Sequence, residues 1–309
     1  MSAGAERTPA AGAPQPGAAL SEALRAGAAR LAAAGIASPR VDVELLAAHL
    51  LGVDRGGVQL ASLRGDPAPD GLDALLARRA ERVPLQHLTG SAPFRRLELA
   101  VGPGVFVPRP ETEQVAQVAI DEARRVASST GAVRVVDLCT GSGAIAIAVA
   151  DEVPTAVVHA VELDASAHAW ASQNVARLLA GARVVLVRGD ARTALGELDG
   201  TVDVVVSNPP YIPPDAVPVD PEVRDHDPGV ALYGLGSDGL AVPRGIVAAA
   251  ARLLAPGGLL VMEHAEVQAA AARTMLHATG RFGEIGTRTD LGGRERMVVG
   301  RRTHARGRA

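Results

Sequence analysis

The feature that most constrains the fold is a regular alternation of apolar strands and helical patterns that begins near residue 133. Continuous apolar runs are typical of strands that are buried on both faces of a sheet. Their alternation with helices predicts an α/β fold, in which a parallel sheet carries helices on both faces. The predicted strands are Val133–Leu138, Ala156–Glu162, Arg183–Arg188, Val202–Ser207 and Gly258–Met262, and the predicted helices include Asp164–Ala180, Leu240–Ala255 and Glu266–Thr279.

A glycine-rich turn, within Asp137–Ala146, follows the first predicted strand and opens a helix. Gly141 and Gly143 allow close backbone approach, and a helix N-terminus offers free N–H groups to a polar ligand. With Glu162 about twenty residues on, the turn also satisfies the dinucleotide fingerprint, so by itself it leaves a nicotinamide cofactor and S-adenosylmethionine open. The Asp137 carboxylate favours S-adenosylmethionine, because it can face the cationic methionyl group and would repel a pyrophosphate.

Acidic residues end two further predicted strands, where ligands of such sheets bind. The carboxylate of Glu162 can accept hydrogen bonds from both hydroxyls of a ribose. Asp190 follows the third strand and is placed to reach an adenine amino group, although Gly189-Asp190 is equally compatible with a plain turn.

The strand Val202–Ser207 runs directly into Asn208-Pro209-Pro210-Tyr211. The side-chain oxygen of Asn208 and the carbonyl of Pro209 can each accept one N–H of a planar NH2 group, which turns the nitrogen lone pair towards an electrophile. The prolines stiffen the turn, and Tyr211 offers a flat face to an amide or a base. An Asx turn in a rigid loop is the alternative. A cofactor turn followed by this sequence is the order found in amino-methyltransferases.

Composition narrows the classes of function. All 31 basic residues are arginine, which excludes a Schiff-base lysine and a P-loop lysine. A net charge of −3 and 2% aromatic residues argue against direct nucleic-acid binding. Cys139 is the single cysteine, which indicates a reducing, cytoplasmic location. No apolar stretch is long enough for a membrane helix, so no membrane association is expected.

Two short segments resemble parts of metal sites. Asp225-His226-Asp227 lacks a second cluster of ligands and is expected to be a polar loop. Glu263-His264 lacks the final histidine of a zinc helix and lies at the end of a predicted strand. Cys139 has no nearby histidine and is interpreted as a backbone-positioning residue. We therefore expect no metal.

The N-terminal part has a helical pattern from Leu20 to about Val83, with a helix start at Ser38-Pro39 and a third helix from about Asp70 to Arg82. This pattern predicts a small helical bundle. The runs Phe94–Val101 and Val105–Val107, separated by Gly-Pro-Gly, predict a hairpin that joins two domains. The basic end, 301–309, is expected to be a frayed tail.

With these segments placed, the chain closely resembles the release factor glutamine methyltransferases (HemK type), which modify the side-chain amide of the Gly-Gly-Gln loop in peptide chain release factors. The resemblance covers about Ser38 to Gly300. Six blocks in the same order carry it: Ser38–Asp42, Pro84–Gly90, Val107–Glu113, Asp137–Ala146, Ser207–Tyr211 and Asp290–Arg296.

The resemblance implies a seven-stranded, Rossmann-like class I methyltransferase sheet and a helical N-terminal domain that docks the release factor. The implied domains are a disordered tail (1–19), the helical domain (20–90), a hairpin linker (91–108), the methyltransferase domain (109–302) and a basic tail (303–309). The expected S-adenosylmethionine site comprises Asp137, Cys139, Thr140, Gly141, Ser142, Gly143, Glu162, Asp190, Ala191 and Asn208. The expected substrate site comprises Asn208, Pro209, Pro210, Tyr211 and Phe106, with Asn208, Pro209 and Tyr211 as the catalytic residues.

Three positions depart from the family pattern. Cys139 stands where glycine is common, Glu162 where aspartate is usual, and Ala191 where some members place an aromatic residue near the adenine. The first departure bears on the backbone of the cofactor turn, and the last predicts weaker stacking of the cofactor.

The function implied is methyl transfer from S-adenosylmethionine to the side-chain nitrogen of a release-factor glutamine. An N6-adenine or N2-guanine methyltransferase is the alternative, but segment 1–108 has 11 Arg against 10 Asp plus Glu and so lacks the basic surface such an enzyme needs. A nicotinamide oxidoreductase is a third possibility. A release-factor-binding module without catalysis is a fourth, which the intact Asn208–Tyr211 disfavours.

Overall fold

The computed structural model describes residues 19–179 and 183–304, with the exception of the Leu179 side chain. Most of the tails expected at 1–19 and 303–309 lies outside these residues, as does the last residue of the helix predicted over 164–180. Of the expected tails the structure describes Ala19, Thr303 and His304, and the Thr303 N–H donates to the Arg281 carbonyl at 2.9 Å. The chain divides into two compact units, Met1–Gly90 and Ser91–Ala309. Within the described residues, no helix is long and apolar enough to cross a membrane.

The smaller unit is helical over its described residues, 19–90. Leu20, Leu24 and Leu31 are fully buried, so the predicted helical spacing does form the core. Sequence reasoning missed α3 and α5, because their apolar residues are few. The Asp54 side chain caps α3 by accepting a hydrogen bond from the Gly57 N–H at 2.7 Å. The helices are α1 (Leu20–Ala33), α2 (Pro39–Leu51), α3 (Arg55–Arg64), α4 (Leu72–Ala80) and α5 (Leu85–Thr89).

The larger unit begins with a hairpin of β1 (Ser91–Phe94) and β2 (Leu97–Ala100). A hairpin was predicted in this segment and is present, but its predicted turn at Gly-Pro-Gly was wrong. The chain reverses instead at Arg95, which has a φ of 55° and donates its N–H to Glu113 Oε1 at 3.0 Å. These contacts hold a turn that has no glycine in it, so no turn signal marks it in the sequence.

Seven strands form the main sheet of the larger unit, as the family resemblance implied. The strands are β3 (Val133–Leu138), β4 (Ala156–Glu162), β5 (Val184–Arg188), β6 (Val202–Ser207), β7 (Leu254–Glu263), β8 (Phe282–Thr289) and β9 (Glu295–Arg302). Their order across the sheet is β5-β4-β3-β6-β7-β9-β8. The first five pair in parallel, whereas β9 is antiparallel to both of its neighbours.

Helices cover both faces of this sheet, because its central strands are apolar on both sides. One core joins the sheet to α6, α7, α8 and the hairpin, and the other joins it to α11 and α12. The helices of this unit are α6 (Thr112–Thr130), α7 (Ala144–Glu152), α8 (Ala165–Leu179), α9 (Pro221–His226), α10 (Gly229–Leu232), α11 (Ala241–Leu253) and α12 (Ala269–Ala278).

The predicted strands at 133–138, 156–162 and 202–207 agree with the structure, residue for residue. The expectation of a frayed tail from residue 301 was wrong at its start. Arg301 and Arg302 belong to β9, and Arg301 pairs with the buried Glu122 at 2.7 Å. Two basic residues therefore end strand β9, where the carboxylate of Glu122 neutralises Arg301.

The loop Tyr233–Leu240 packs backbone to backbone against the Asn-Pro-Pro-Tyr turn, residues 208–211. The Ile212 N–H donates to the Leu232 carbonyl at 2.8 Å, and the Gly234 N–H donates back to the Ile212 carbonyl at 3.0 Å. Such contact is possible only without a side chain at Gly234. A Cβ there would lie 1.8 Å from the carbonyl oxygen of Gly239 and 2.6 Å from that of Pro210.

We expect Gly234→Ala to destabilise the protein by about 3 kcal/mol and to displace the turn, because the clashing atoms belong to the backbone. Urea unfolding measures the first effect. Gly286→Ala is the matched control, since its Cβ would have no neighbour nearer than 4.0 Å, at Val299. Equal stability of the two variants would contradict this packing.

Candidate active site at the carboxyl edge of the sheet

The carboxyl ends of the parallel strands open on a cavity of about 760 Å³. Most of the site residues predicted from the sequence line this one cavity, and only Asp137 and Gly143 do not. The expected residues that line it are Phe106, Cys139, Thr140, Gly141, Ser142, Glu162, Asp190, Ala191, Asn208, Pro209, Pro210 and Tyr211.

The turn after β3 has left-handed backbone at Cys139, Gly141 and Gly143, with φ of 64°, 58° and 85°. A Cβ on Gly141 would meet nothing within 4 Å, so glycine is favoured there by the left-handed backbone and not by lack of space. Its small size leaves the backbone open to the cavity. Cys139 adopts the same conformation with a side chain, which costs strain that glycine would avoid. Burial raises the pKa of its thiol, consistent with a packing role and not with a nucleophile.

Asp137 is the second-last residue of β3 and is fully buried. Its Oδ2 accepts from the Thr140 hydroxyl at 2.6 Å and from the Ala146 N–H at 3.1 Å, so it ties the turn to the start of α7. Its Oδ1 has no hydrogen-bond partner among the described residues. Burial raises the pKa of Asp137 to about 7. An unpartnered buried carboxylate oxygen beside the turn fits the cationic group expected there.

Glu162 ends β4, and its two oxygens hold the backbone of two loops. Oε2 accepts from the Gly141 N–H and Oε1 from the Asp164 N–H, both at 2.8 Å. A carboxylate has about four acceptor sites, so Glu162 can also accept from a ligand hydroxyl. Burial raises the pKa of Glu162 despite these bonds.

Asp190 lies at the cavity wall, in an ion pair with Arg192 at 2.6 Å. The hydrogen bond from Arg192 lowers the pKa of Asp190. Arg192 also lines the cavity and was not predicted, since nothing in the sequence distinguishes it from other surface arginines. Beside them, Ala191 offers no aromatic face to a base.

The Asn208 side chain is held from one side only. Its Nδ2 donates to Thr112 Oγ1 at 3.2 Å, and Thr112 donates to Glu263 Oε2 at 2.8 Å. Tyr211 Oη donates to the other oxygen of Glu263 at 3.3 Å. Among the described residues, no hydrogen bond reaches Asn208 Oδ1 or the Pro209 carbonyl oxygen. Two acceptors in one turn are thus available to an NH2 group.

Thr112 and Glu263 are two further site residues that sequence reasoning missed. Ser207 pairs with Met262 across β6 and β7, so Asn208, directly after β6, is level with Glu263, the last residue of β7. The position of Glu263 at the end of a predicted strand was the signal that could have identified it, although we interpreted Glu263 only as part of an incomplete zinc motif. Burial raises the pKa of Glu263 to about 7, and Arg296 opposes this shift electrostatically.

Phe106 lies at the rim of the cavity under an arginine. The guanidinium carbon of Arg109 is 5.1 Å from the centre of the Phe106 ring, and Arg109 pairs with Asp227 at 2.7 Å. The expected polar loop at residues 225–227 was therefore wrong. Residues 221–226 form α9, and the Asp227 side chain is buried, because it neutralises Arg109.

The described residues fit S-adenosylmethionine. The buried carboxyl of Asp137 beside the turn suits its cationic methionyl group, Glu162 suits its ribose, and Gly141 leaves room for close approach. The two carboxyl groups suit different parts of the same cofactor, and the open turn lets it approach the backbone.

Two family models match the chain. Residues 22–90 match the model described as PrmC N-terminal domain, and residues 111–219 match the one described as Methyltransferase small domain. The second match covers the cofactor turn and the Asn-Pro-Pro-Tyr turn. Fold and site therefore define an S-adenosylmethionine-dependent methyltransferase.

Curated relatives narrow the class to a family. The chain is 50% identical to a release factor glutamine methyltransferase from Streptomyces coelicolor, over 88% of this chain and 94% of the relative. It is 49% identical to the protein of that name from Mycolicibacterium smegmatis, over 92% and 98% of the two chains. It is also 42% identical to a 4-amino-L-phenylalanine/4-methylamino-L-phenylalanine methyltransferase from Streptomyces pristinaespiralis, over 87% and 91%. The chain belongs to the release factor glutamine methyltransferase family.

We predict that Asp137 makes folding stability fall as pH rises. Its pKa is raised from 3.8 to about 7, so between these values the folded protein keeps a proton that the unfolded chain has lost. The free energy of unfolding of the wild type, relative to Asp137→Asn, should therefore fall by about 2–3 kcal/mol from pH 5 to pH 8. Urea unfolding measures it. Asp121→Asn, at an exposed position, is the control, and parallel curves for wild type and Asp137→Asn would refute the shift.

Proposed function

We propose that the chain transfers a methyl group from S-adenosylmethionine to the side-chain nitrogen (N5) of the glutamine in the Gly-Gly-Gln loop of peptide chain release factors. The observation that carries the proposal is the pair of free acceptors, Asn208 Oδ1 and the Pro209 carbonyl. They match the two N–H groups of a primary amide. The family relationship supports a release factor as the protein that presents this amide.

The residues of the turn act by positioning. An amide nitrogen is a poor nucleophile because its lone pair is conjugated with the carbonyl. Holding both N–H groups out of the amide plane would direct the lone pair away from the carbonyl, and fixing the reacting atoms in place supplies much of the rate. Tyr211 offers a stacking face for the amide, and Phe106 would cover it from the rim.

When bound, S-adenosylmethionine supplies a methyl group on a sulfonium, which departs as a neutral thioether. Asp137, Glu162 and the turn 139–143 would hold it, with Asp190 and Ala191 beside the adenine. No strong base is needed, because the amide nitrogen loses a proton readily once it carries the methyl group. Among the described residues that line the cavity, none is a lysine or a histidine that could serve as one.

The remaining parts of the chain take supporting roles in this proposal. The helical domain, 20–90, docks the release factor, the hairpin segment 91–108 is the linker, and 109–302 is the methyltransferase domain. Near-neutral charge argues against direct nucleic-acid binding. The single cysteine suits a cytoplasmic location.

A second candidate substrate is a small aromatic amine. It is favoured by the 42% identical relative that is named for 4-amino-L-phenylalanine, and an aniline NH2 is also planar. Two further relatives of higher identity, both named for release factors, make the protein substrate the better supported one.

We expect Asn208→Ala to lower methyl transfer to a release factor by at least about a hundredfold, because one of two acceptors is lost. Binding of S-adenosylmethionine, measured by calorimetry, should persist. Gln173→Ala removes an exposed amide elsewhere and should leave the rate unchanged. Normal turnover by Asn208→Ala would contradict the proposed mechanism.

The substrate is tested by incubating the enzyme and labelled S-adenosylmethionine with purified release factor, with DNA, with RNA and with 4-amino-L-phenylalanine. Label should enter the release factor and should be lost when its loop glutamine is replaced by alanine. Label only in nucleic acid would overturn the proposal. Label only in the amino acid would establish the second candidate.

A further inference from the structure

A chain of hydrogen bonds links the amide of Asn208 to the buried carboxyl of Glu263. Asn208 Nδ2 lies 3.2 Å from Thr112 Oγ1, which lies 2.8 Å from Glu263 Oε2. Tyr211 Oη reaches the other carboxyl oxygen at 3.3 Å. Both polar side chains of the turn therefore end on one carboxyl group, which comes from a different strand.

The direction of this chain is set by the chemistry of its last member. An ionised carboxylate only accepts hydrogen bonds, so the Thr112 hydroxyl must give its single proton to Glu263. The Thr112 oxygen can then only accept, and the group of Asn208 that faces it must be NH2. We propose that Glu263 is a positioning residue that fixes the orientation of the Asn208 amide through Thr112, so that Oδ1 is presented to the substrate.

The orientation matters for the reaction, and this inference rests on the proposed function. A reversed Asn208 would present its own NH2 to the NH2 of the substrate, so two donors would face each other. A neutral group at 263 removes the constraint, because Thr112 could then donate to Asn208 Oδ1 instead. The carboxylate thus selects one of two amide orientations that are nearly equal in shape.

The surroundings of Glu263 allow its charge to be titrated. It is 4% exposed, and the groups facing it are Thr112 and Glu111 at the start of α6, Tyr211 after β6, and Arg296 on β9. Burial and Glu111 raise its pKa, whereas Thr112, Arg296 and Tyr211 lower it, with a net value of about 7. Since the ionised form orients Asn208, the correct orientation should be gained as pH rises through this value.

The chain offers a direct readout of this orientation, because it contains only two asparagines, Asn174 and Asn208. Full-length protein labelled with 15N only in asparagine side chains should give two NH2 signals by NMR. We expect the Asn208 signal to shift with a midpoint near pH 7. Asn174, which donates to the carbonyls of Ala100 and Ser142, serves as an internal reference.

Glu263→Gln should abolish the titration of the Asn208 signal, and Glu266→Gln, which removes an exposed charge three residues away, should preserve it. Asp137 has a similarly raised pKa, so Asp137→Asn is needed as a second control and should also leave the titration in place. An Asn208 signal that is independent of pH in the wild type, or that still titrates in Glu263→Gln, would overturn the inference.

Kinetics separate positioning from a merely structural role. Thr112→Ser keeps the hydroxyl and should retain the wild-type kcat. Thr112→Val keeps the shape without the hydroxyl and should lose about a hundredfold in kcat, with little change in cofactor affinity. Thermal unfolding of both variants controls for folding, and equal kcat values would refute the linkage.

Failure of the inference differs from failure of the proposed function. Wild-type transfer to another NH2 substrate would overturn the choice of release factor and leave the Thr112 comparison to be run on that substrate. The NMR titration needs no substrate at all. A normal kcat for Thr112→Val on any accepted substrate overturns the positioning role and leaves the assigned reaction intact.

Discussion

The parallel register of the central strands is the constraint on which the site depends. Leu138 of β3 pairs with Ser207 of β6, and Ser207 pairs with Met262 of β7. The three strands therefore end within one residue of one another, and the residues at or just after their ends meet at a single edge. Asn208 and Glu263 are far apart in sequence but become neighbours, because the parallel pairing of β6 with β7 brings them to the same level.

Carboxyl groups are buried at this same edge of the sheet, so the site lowers the stability of the fold. Asp137 and Glu263 are both buried, and burial raises the pKa of each to about 7. Their charged forms are tolerated because hydroxyl and N–H donors, from Thr140, Ala146 and Thr112, point at them. A core of apolar residues at this edge would be more stable. It could neither face a cationic ligand nor hold an amide in one orientation.

The segments that could be predicted from the sequence are those whose side chains are mostly apolar and buried. The central strands β3, β4 and β6 are apolar on both faces and were recognised to the residue. The last two strands along the chain, β8 and β9, alternate with polar and basic residues and were missed, and β9 was taken in part for a tail. In the site, residues of a recognisable turn that line the cavity were predicted. Thr112 and Glu263 were not, because their role exists only through contacts made by the fold.

A carboxylate at the end of a hydrogen-bond chain does what an amide or a hydroxyl cannot. A hydroxyl can rotate and an amide can turn over, so a chain of such groups has two directions of nearly equal energy. An acceptor-only group removes one of them. Burying that group costs free energy, which Arg296 partly offsets. In the proposed reaction the Asn-Pro-Pro-Tyr turn therefore supplies two acceptors, whereas the group that Asn208 presents, oxygen and not NH2, is decided on the neighbouring strand.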